Sequence, residues 1–403
     1  MPTAAQRHSR LLLPVLGLSS LAVWLVTVAF GLLLIDVAQT FNVPVGTAGT
    51  TASVGSISGI VFGLIVSVIC SRVNHKLLLL TGLTGTGLAA IVYYLAPTFE
   101  IALLANIGVG GGIAIVTSMV YCLIGDFYPL EKRGRAIGFI VAATSMSYVI
   151  GAPIVGLIAD VGGWRSVMIW LSLPVTLICM LLAFLVIPNR PLIHEQGLRE
   201  PFFAGCRKVL TTRATVASLS VTALMFAEGS IGFYVVSFFR TDFAISVDVG
   251  SIVLVVGSIV STAGGVVAGL LVNRVGRKRL GTITCVVASV LTLIFSFMPL
   301  FSLSWLISTL RNLFGGMAAA AEGSLIIEQL PSYRSTLVSL NSAFMNVGMF
   351  MGSMIAAVVL NLYNYQTLSI VLGSLGILGC AVWVFFVNEP CKKPAEDHKK
   401  KQD

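Results

Sequence analysis

Three ionisable residues stand inside long apolar runs. Glu228 lies in Leu224-Met225-Phe226-Ala227-Glu228-Gly229-Ser230, Glu322 follows four alanines from Ala318 to Ala321, and Arg311 precedes Gly315 by four positions. An ionised side chain at the centre of a lipid bilayer costs ~2.5–3.5 kcal/mol or more, so each must meet a partner, face a water-filled cavity, or hold a proton. Either carboxylate would suit a proton or a cation, and Arg311 would attract an anion. For Glu228 three roles stay open: proton carrier, direct contact for a cationic solute, or a purely structural hydrogen-bonded acid. Arg311 and Glu322 are eleven residues apart. On one helix that places them within about 20° of the same face and ~16 Å apart along the axis, so they cannot touch. Asn341, Asn346 and Tyr234 are further polar groups in apolar runs that would suit a cavity wall.

Nothing in the chain resembles a catalytic set. There is no glycine-rich phosphate loop, no Ser/His/Asp grouping and no metal-ligand spacing, so no enzyme activity, cofactor or metal is expected. The four histidines, His8, His75, His194 and His398, all fall in loops or tails. Of seven cysteines, Cys122, Cys179, Cys285 and Cys380 are inside apolar runs and Cys70 closes one. Cys206 and Cys391 lie in basic segments, and no disulfide is expected.

The elements that hold these residues follow from composition. Of 403 residues, 57% are hydrophobic and 10% charged, and mean hydropathy is +0.97. A soluble domain carries roughly 25% charged residues. One large soluble domain, disorder and a secreted disulfide scaffold are therefore excluded. Twelve apolar segments can be read, at 11–35, 45–70, 76–96, 101–124, 135–159, 164–187, 215–239, 248–272, 279–298, 303–327, 335–360 and 365–388. Each is long enough to cross a ~30 Å hydrocarbon layer as a helix. The expectation is an all-α membrane protein with twelve transmembrane helices in two six-helix bundles. The first segment is too long for a signal-peptide core and is read as a retained helix.

With the N-terminus inside, all but three of the 25 Lys and Arg residues fall in cytoplasmic segments. The exceptions are Arg165 and Arg240 outside and Arg311 within a helix. This bias predicts both termini in the cytoplasm of a multi-pass plasma-membrane protein. It also assigns the +9 net charge to topology and to contact with the lipid bilayer, not to nucleic acid.

The longest polar stretch, 188–214, holds Pro188, Pro191 and Pro201. It divides the chain into an N-terminal bundle at 1–187, a linker, a C-terminal bundle at 215–390 and a lysine-rich tail at 391–403. The halves repeat. Ser71-Arg72-Val73-Asn74-His75-Lys76 maps onto Asn273-Arg274-Val275-Gly276-Arg277-Lys278 at an offset of 202, which also carries Asp126 onto Glu328 and Pro129 onto Pro331.

The second loop, with Gly269 before it, resembles the G-x-L-a-D-R-x-G-R-K motif of the major facilitator superfamily. Gly162-Gly163-Trp164-Arg165 is also typical of that family. The resemblance implies two bundles around a central cavity, and alternating access by rocking. It also assigns Asn273, Arg274, Gly276, Arg277 and Lys278, with the weaker copy at Arg72 and Lys76, to a gating loop. That copy lacks the glycines, and Asn273 stands where aspartate is usual.

Gly151, Pro153 and Gly156 are similar to the antiporter motif of twelve-helix drug:proton antiporters, a kinkable helix that lets the opposite bundle approach. Arg311 and Gly315 match the spacing of the arginine motif those families carry in the fourth helix, where this chain has Asn106 and Gly110. The expected function is secondary transport of a small molecule, foremost proton-coupled efflux of a drug or metabolite by a functional monomer. A uniporter or symporter for a small solute, anions included, is the alternative, and a sensor that moves nothing is a third. For topology, a cysteine placed at Thr98 or Asn364 should be labelled by an impermeant reagent added outside, and one at Glu195 spared. Labelling of Glu195→Cys in sealed cells would reverse the orientation.

Overall fold

A computed structural model describes residues 4–70, 73–128, 130–188, 202–329 and 334–387. Every regular element among them is helical. The first half runs α1 (Ala4–Phe41), α2 (Val45–Ile69), α3 (His75–Leu95), α4 (Phe99–Phe127), α5 (Leu130–Val149), α6 (Gly151–Val167) and α7 (Leu173–Val186). A short α8 (Phe202–Thr211) then leads to α9 (Arg213–Gly229), α10 (Ile231–Asp242), α11 (Val247–Val275), α12 (Arg277–Ile294), α13 (Phe301–Gln329), α14 (Arg334–Leu362) and α15 (Tyr365–Phe386). Hydrocarbon offers no partner to a bare N–H or C=O, so helices, which satisfy their own backbone, are the permitted form. Ten helical stretches among the described residues are long and apolar enough to cross a membrane. One of them, Arg135–Val186, is 52 residues long.

That long stretch differs from the two segments read at 135–159 and 164–187. The helix breaks at Ile150, between α5 and α6, and turns again at Gly163, where φ is +74°. Only glycine takes that backbone conformation without steric cost. A π-helical turn at Met168–Ser172 then leads into α7. The seventh segment is also divided: α9 ends at Gly229 and α10 begins at Ile231. Glu228 therefore sits at a helix joint.

Within each half the second and fourth segments cross closely. A Cβ placed at Gly110 on α4 would strike the Gly55 carbonyl on α2, and one at Gly316 on α13 would strike the Ser261 carbonyl on α11. Small residues at such crossings let backbones meet where no hydrophobic force draws helices together. The equivalent crossings fix the internal alignment here at an offset of 206. Asn106 thus corresponds to Asn312 and not, as the motif spacing predicts, to Arg311. The counterpart of Arg311 is Ala105.

Adjacent glycines give a matched test. A methyl group added at Gly315 would meet nothing within 4 Å, whereas one at Gly316 would face backbone. Gly316→Ala should destabilise the protein by ~1–3 kcal/mol through overpacking, and Gly315→Ala should leave thermal stability in detergent unchanged or slightly raised. Equal melting temperatures for the two variants would refute the crossing.

Candidate functional site

The joint between α9 and α10 positions the first acid. Gly229 and Ser230 end the helix, and the Ser230 hydroxyl donates to the Ala227 carbonyl at 2.7 Å. Glu228 then points toward α12 and α13. Arg311 Nε on α13 lies 3.2 Å from Glu228 Oε1 and 3.1 Å from Thr292 Oγ1 on α12. The Thr292 hydroxyl donates to the same carboxylate oxygen. Arg311 Nη1 donates to Asn312 Oδ1 at 3.1 Å. Glu228 and Arg311 are each only 8% exposed, so the pair is shielded from screening and each charge depends on the other. On the far side α15 comes close: a Cβ at Gly376 would lie 2.9 Å from Glu228 Cγ.

This pair borders a cavity of about 290 Å³. Its polar lining comes from Glu228, Arg311, Asn312, Ser261 and Ser289, and Phe226, Met225 and Met349 supply apolar surface. Glycines and alanines make up much of the remaining wall. All of these residues belong to the second half of the chain. The cavity can therefore offer hydrogen bonds and one neutralised charge pair to a small polar solute.

The other sequence candidates lie elsewhere. Glu322 is buried, and its Oε1 is hydrogen-bonded to Thr222 Oγ1 at 2.5 Å. Asn341 shares that threonine. Tyr234 is buried at the meeting of α10, α2 and α14, where its ring fills the space opposite Gly49. Its hydroxyl is 3.5 Å from the Ser353 carbonyl. Asn346 on α14 faces Gly59 on α2, and its amide donates to Ser342 O at 3.0 Å. Neither Tyr234 nor Asn346 borders the Glu228 cavity.

The basic loops act within their own bundles. Lys278 Nζ donates to the Val384 carbonyl at the end of α15, at 2.8 Å. Lys76 Nζ does the same to Phe184 at the end of α7, at 2.6 Å. Both cations meet the negative end of a helix dipole. Gly276 has φ +89°, a turn that needs glycine. Arg274 is exposed and Arg277 half-buried. Asn273 belongs to α11, but its side chain, like all of Arg72, lies outside the described residues. Of the antiporter-like motif, Gly151 packs on Leu25 of α1, and Gly156 touches Val247, Asp248 and Ser251 of α11 in the opposite half. Pro153 lies half-buried in the first turn of α6, between these contacts.

Ties between the halves cluster at the end that the charge bias assigns to the outside. Arg240 on α10 grips Asp36 on α1 with both terminal nitrogens, Nη2 to Oδ1 at 3.0 Å. Asn361 on α14 exchanges two hydrogen bonds with Thr47 on α2, at 3.1 and 3.0 Å. Deeper in, Ser53 and Ser353 meet at 2.7 Å. Sequence reading missed Thr292, Asn312, Thr222, Asp36 and Arg240 as partners. A lone threonine in an apolar run gives no signal, and helix pitch does not say which helices are neighbours.

Ten helical stretches among the described residues, each long and apolar enough to cross a membrane, define a multi-pass membrane protein. The chain matches the model of the Major Facilitator Superfamily over residues 12–310 and 217–402 and belongs to that family. A probable sugar efflux transporter of Helicobacter pylori (strain P12) is 23% identical over 366 residues, covering 90% of this chain and 91% of the relative. Among solved structures, a D-xylose-proton symporter superposes with a TM-score of 0.75 at 15% identity, over 94% of this chain and 97% of that one. The nucleoside transporter NupG gives 0.74 at 15%, over 93% and 98%. A bacterial homologue of the human lysosomal transporter Spinster, in an inward-facing and unoccupied conformation, gives 0.70 at 16%, over 95% and 92%.

Removing one member of a buried ion pair leaves an unmatched charge, at ~3–5 kcal/mol. Arg311→Gln alone should therefore lower the melting temperature sharply. Adding Glu228→Gln should restore most of the loss, because no buried charge remains. Additive losses in the double variant would show that the two side chains do not interact.

Proposed function

We propose that this chain exports a small polar solute of the sugar or related metabolite class in exchange for protons, with Glu228 as the coupling carboxylate and Arg311 as its charge partner. The observation that carries this reading is the buried Glu228–Arg311 pair on the wall of a cavity. Two arrangements of this pair differ by one proton. With Glu228 ionised, Arg311 is held across the cavity wall together with Thr292. A proton arriving on Glu228 cancels the attraction and frees the guanidinium, whose remaining donors then turn to solute oxygens or to Asn312. Solute and proton thus compete for one set of groups, which is the requirement for exchange. The relatives named as sugar efflux transporters support the direction and the solute class. A uniporter or symporter built on the same pair is the competing reading.

The reading includes a topology. The 52-residue stretch crosses twice, and α13 crosses with Arg311 and Glu322 facing inward, giving twelve crossings. Residues 1–187 and 215–390 are the two bundles, 188–214 the linker and 391–403 the tail, with both termini cytoplasmic. The ties at Asp36–Arg240, Thr47–Asn361 and Ser53–Ser353 hold the outer end together in this state. A monomer in the plasma membrane suffices, since one chain contains both bundles and the cavity.

Glu228→Gln keeps the shape and an acceptor for Arg311 and Thr292 but cannot titrate, and because it leaves the Arg311 charge unmatched its transport is measured per folded protein. In proteoliposomes, exchange of labelled monosaccharides down their own gradient should survive in this variant. Accumulation driven by an imposed proton gradient should disappear and the pH dependence flatten. Direct contact with a cationic solute would instead weaken binding by ~1.5–3 kcal/mol, the worth of a charged hydrogen bond. Wild-type, pH-dependent accumulation by Glu228→Gln would remove this residue from the coupling mechanism.

A further inference from the structure

Away from the Glu228 cavity, three polar side chains from three helices meet in apolar surroundings. Thr222 on α9 lies 2.5 Å from Glu322 Oε1 on α13 and 2.8 Å from Asn341 Oδ1 on α14. Both are O–H···O distances. The Thr222 hydroxyl also stands 3.2 Å from the Ser218 carbonyl.

The protons can be counted. A threonine hydroxyl carries one, and a carboxylate or amide oxygen carries none. If Glu322 is ionised, Thr222 satisfies one of its two side-chain oxygen neighbours and presents a lone pair to the other at contact distance. If Glu322 is the neutral acid, both side-chain contacts are satisfied. Its O–H donates to Thr222, and the Thr222 O–H donates to Asn341 Oδ1.

We propose that Thr222, Glu322 and Asn341 form a second proton-carrying site in the C-terminal half, separate from Glu228, and that Glu322 holds its proton in this state. The surroundings agree. Val209, Leu219, Ile326 and Leu337 form one apolar cluster beside it, and Ala217, Val221, Leu325, Trp383 and Val387 form another. A cavity of about 10 Å³ separates Glu322 from the second cluster.

Among the described side chains, charged groups on the packed elements are Arg207 and Lys208 on α8, Arg213 and Glu228 on α9, and Asp248 and Arg274 on α11. Arg277, Lys278 and Arg279 are on α12, and Arg311 on α13 is already bound to Glu228. The other titratable side chains are Cys206 on α8, Cys285 on α12, and Tyr365 and Cys380 on α15, and α14 has none between Thr336 and Leu362. A neutral Glu322 needs none of them.

The inference rests on the transport reading only for its consequence, a second proton per cycle; the test reads the proton itself. Infrared spectra of the full chain in lipid nanodiscs, in H2O and D2O, report protonated carboxyl groups through their C=O stretch. At neutral pH the wild type and Glu228→Gln should both show a buried acid band that Glu322→Gln loses. Absence of the band in the wild type, or its persistence in Glu322→Gln, overturns the proposal. Thr222→Val, which removes the acceptor of the acid proton, should move the band to higher frequency. This guards against misfolding of the glutamine variant, and an unmoved band also overturns the proposal. Loss of proton-driven accumulation in Glu228→Gln with the Glu322 band intact separates failure at one site from failure at the other.

Discussion

A layer of hydrocarbon supplies neither hydrogen-bond partners nor screening, and the rest of this structure follows from that one deficit. The backbone answers it by remaining helical throughout the described residues. Most serines and threonines answer it by bonding carbonyls three or four residues back, as Ser19, Thr86 and Thr176 do. Charges cannot be satisfied locally. Glu228 has to find Arg311 on another helix, and Thr292 on a third fills the remaining lone pair. The positions of α9, α12 and α13 relative to one another are thereby specified by a polar contact as well as by packing.

The same deficit makes the duplication informative. Features that serve architecture occur in both halves: Gly110 with Gly316 at the close crossings, Asn106 with Asn312, and Lys76 with Lys278 at the ends of the sixth and twelfth segments. The charge pair occurs in one half only. The position matching Arg311 is Ala105. A buried charge is tolerated only where its partner exists, so both had to be present together or not at all. The first half instead supplies the surface on which the second packs, with Gly156 and Gly49 clearing space for it.

The ties between halves are few and of modest strength individually. A neutral hydrogen bond contributes only about 0.5–1.5 kcal/mol net, because water replaces it when it breaks. Thr47–Asn361 and Ser53–Ser353 are of this kind, and Asp36–Arg240 is partly exposed. Such a set can hold one end closed and still be released by solute or proton. Tight backbone crossings occur within each half and also at the seam, where a Cβ at Gly46 on α2 would lie 2.5 Å from the Ala357 carbonyl on α14.

Membrane class, the apolar segments, the two repeated halves and the anomalous acids were legible in the sequence because each depends on local properties. Hydropathy over a window, the sign of loop charges and the spacing of a motif need no knowledge of neighbours. That Glu228 must find a buried partner was legible for the same reason, since a carboxylate in an apolar run needs one wherever the fold puts it. Which partner it takes was not. Arg311 is 83 residues away along the chain, and nothing in helix periodicity chooses it over water, lipid or Glu322. Tertiary packing also decided that Tyr234 and Asn346 serve the seam between bundles and not the cavity, and that Thr222 and Thr292 matter at all. A hydroxyl in an apolar helix satisfies itself on its own backbone unless another helix brings an acid within reach, and only the assembled bundle determines whether one does.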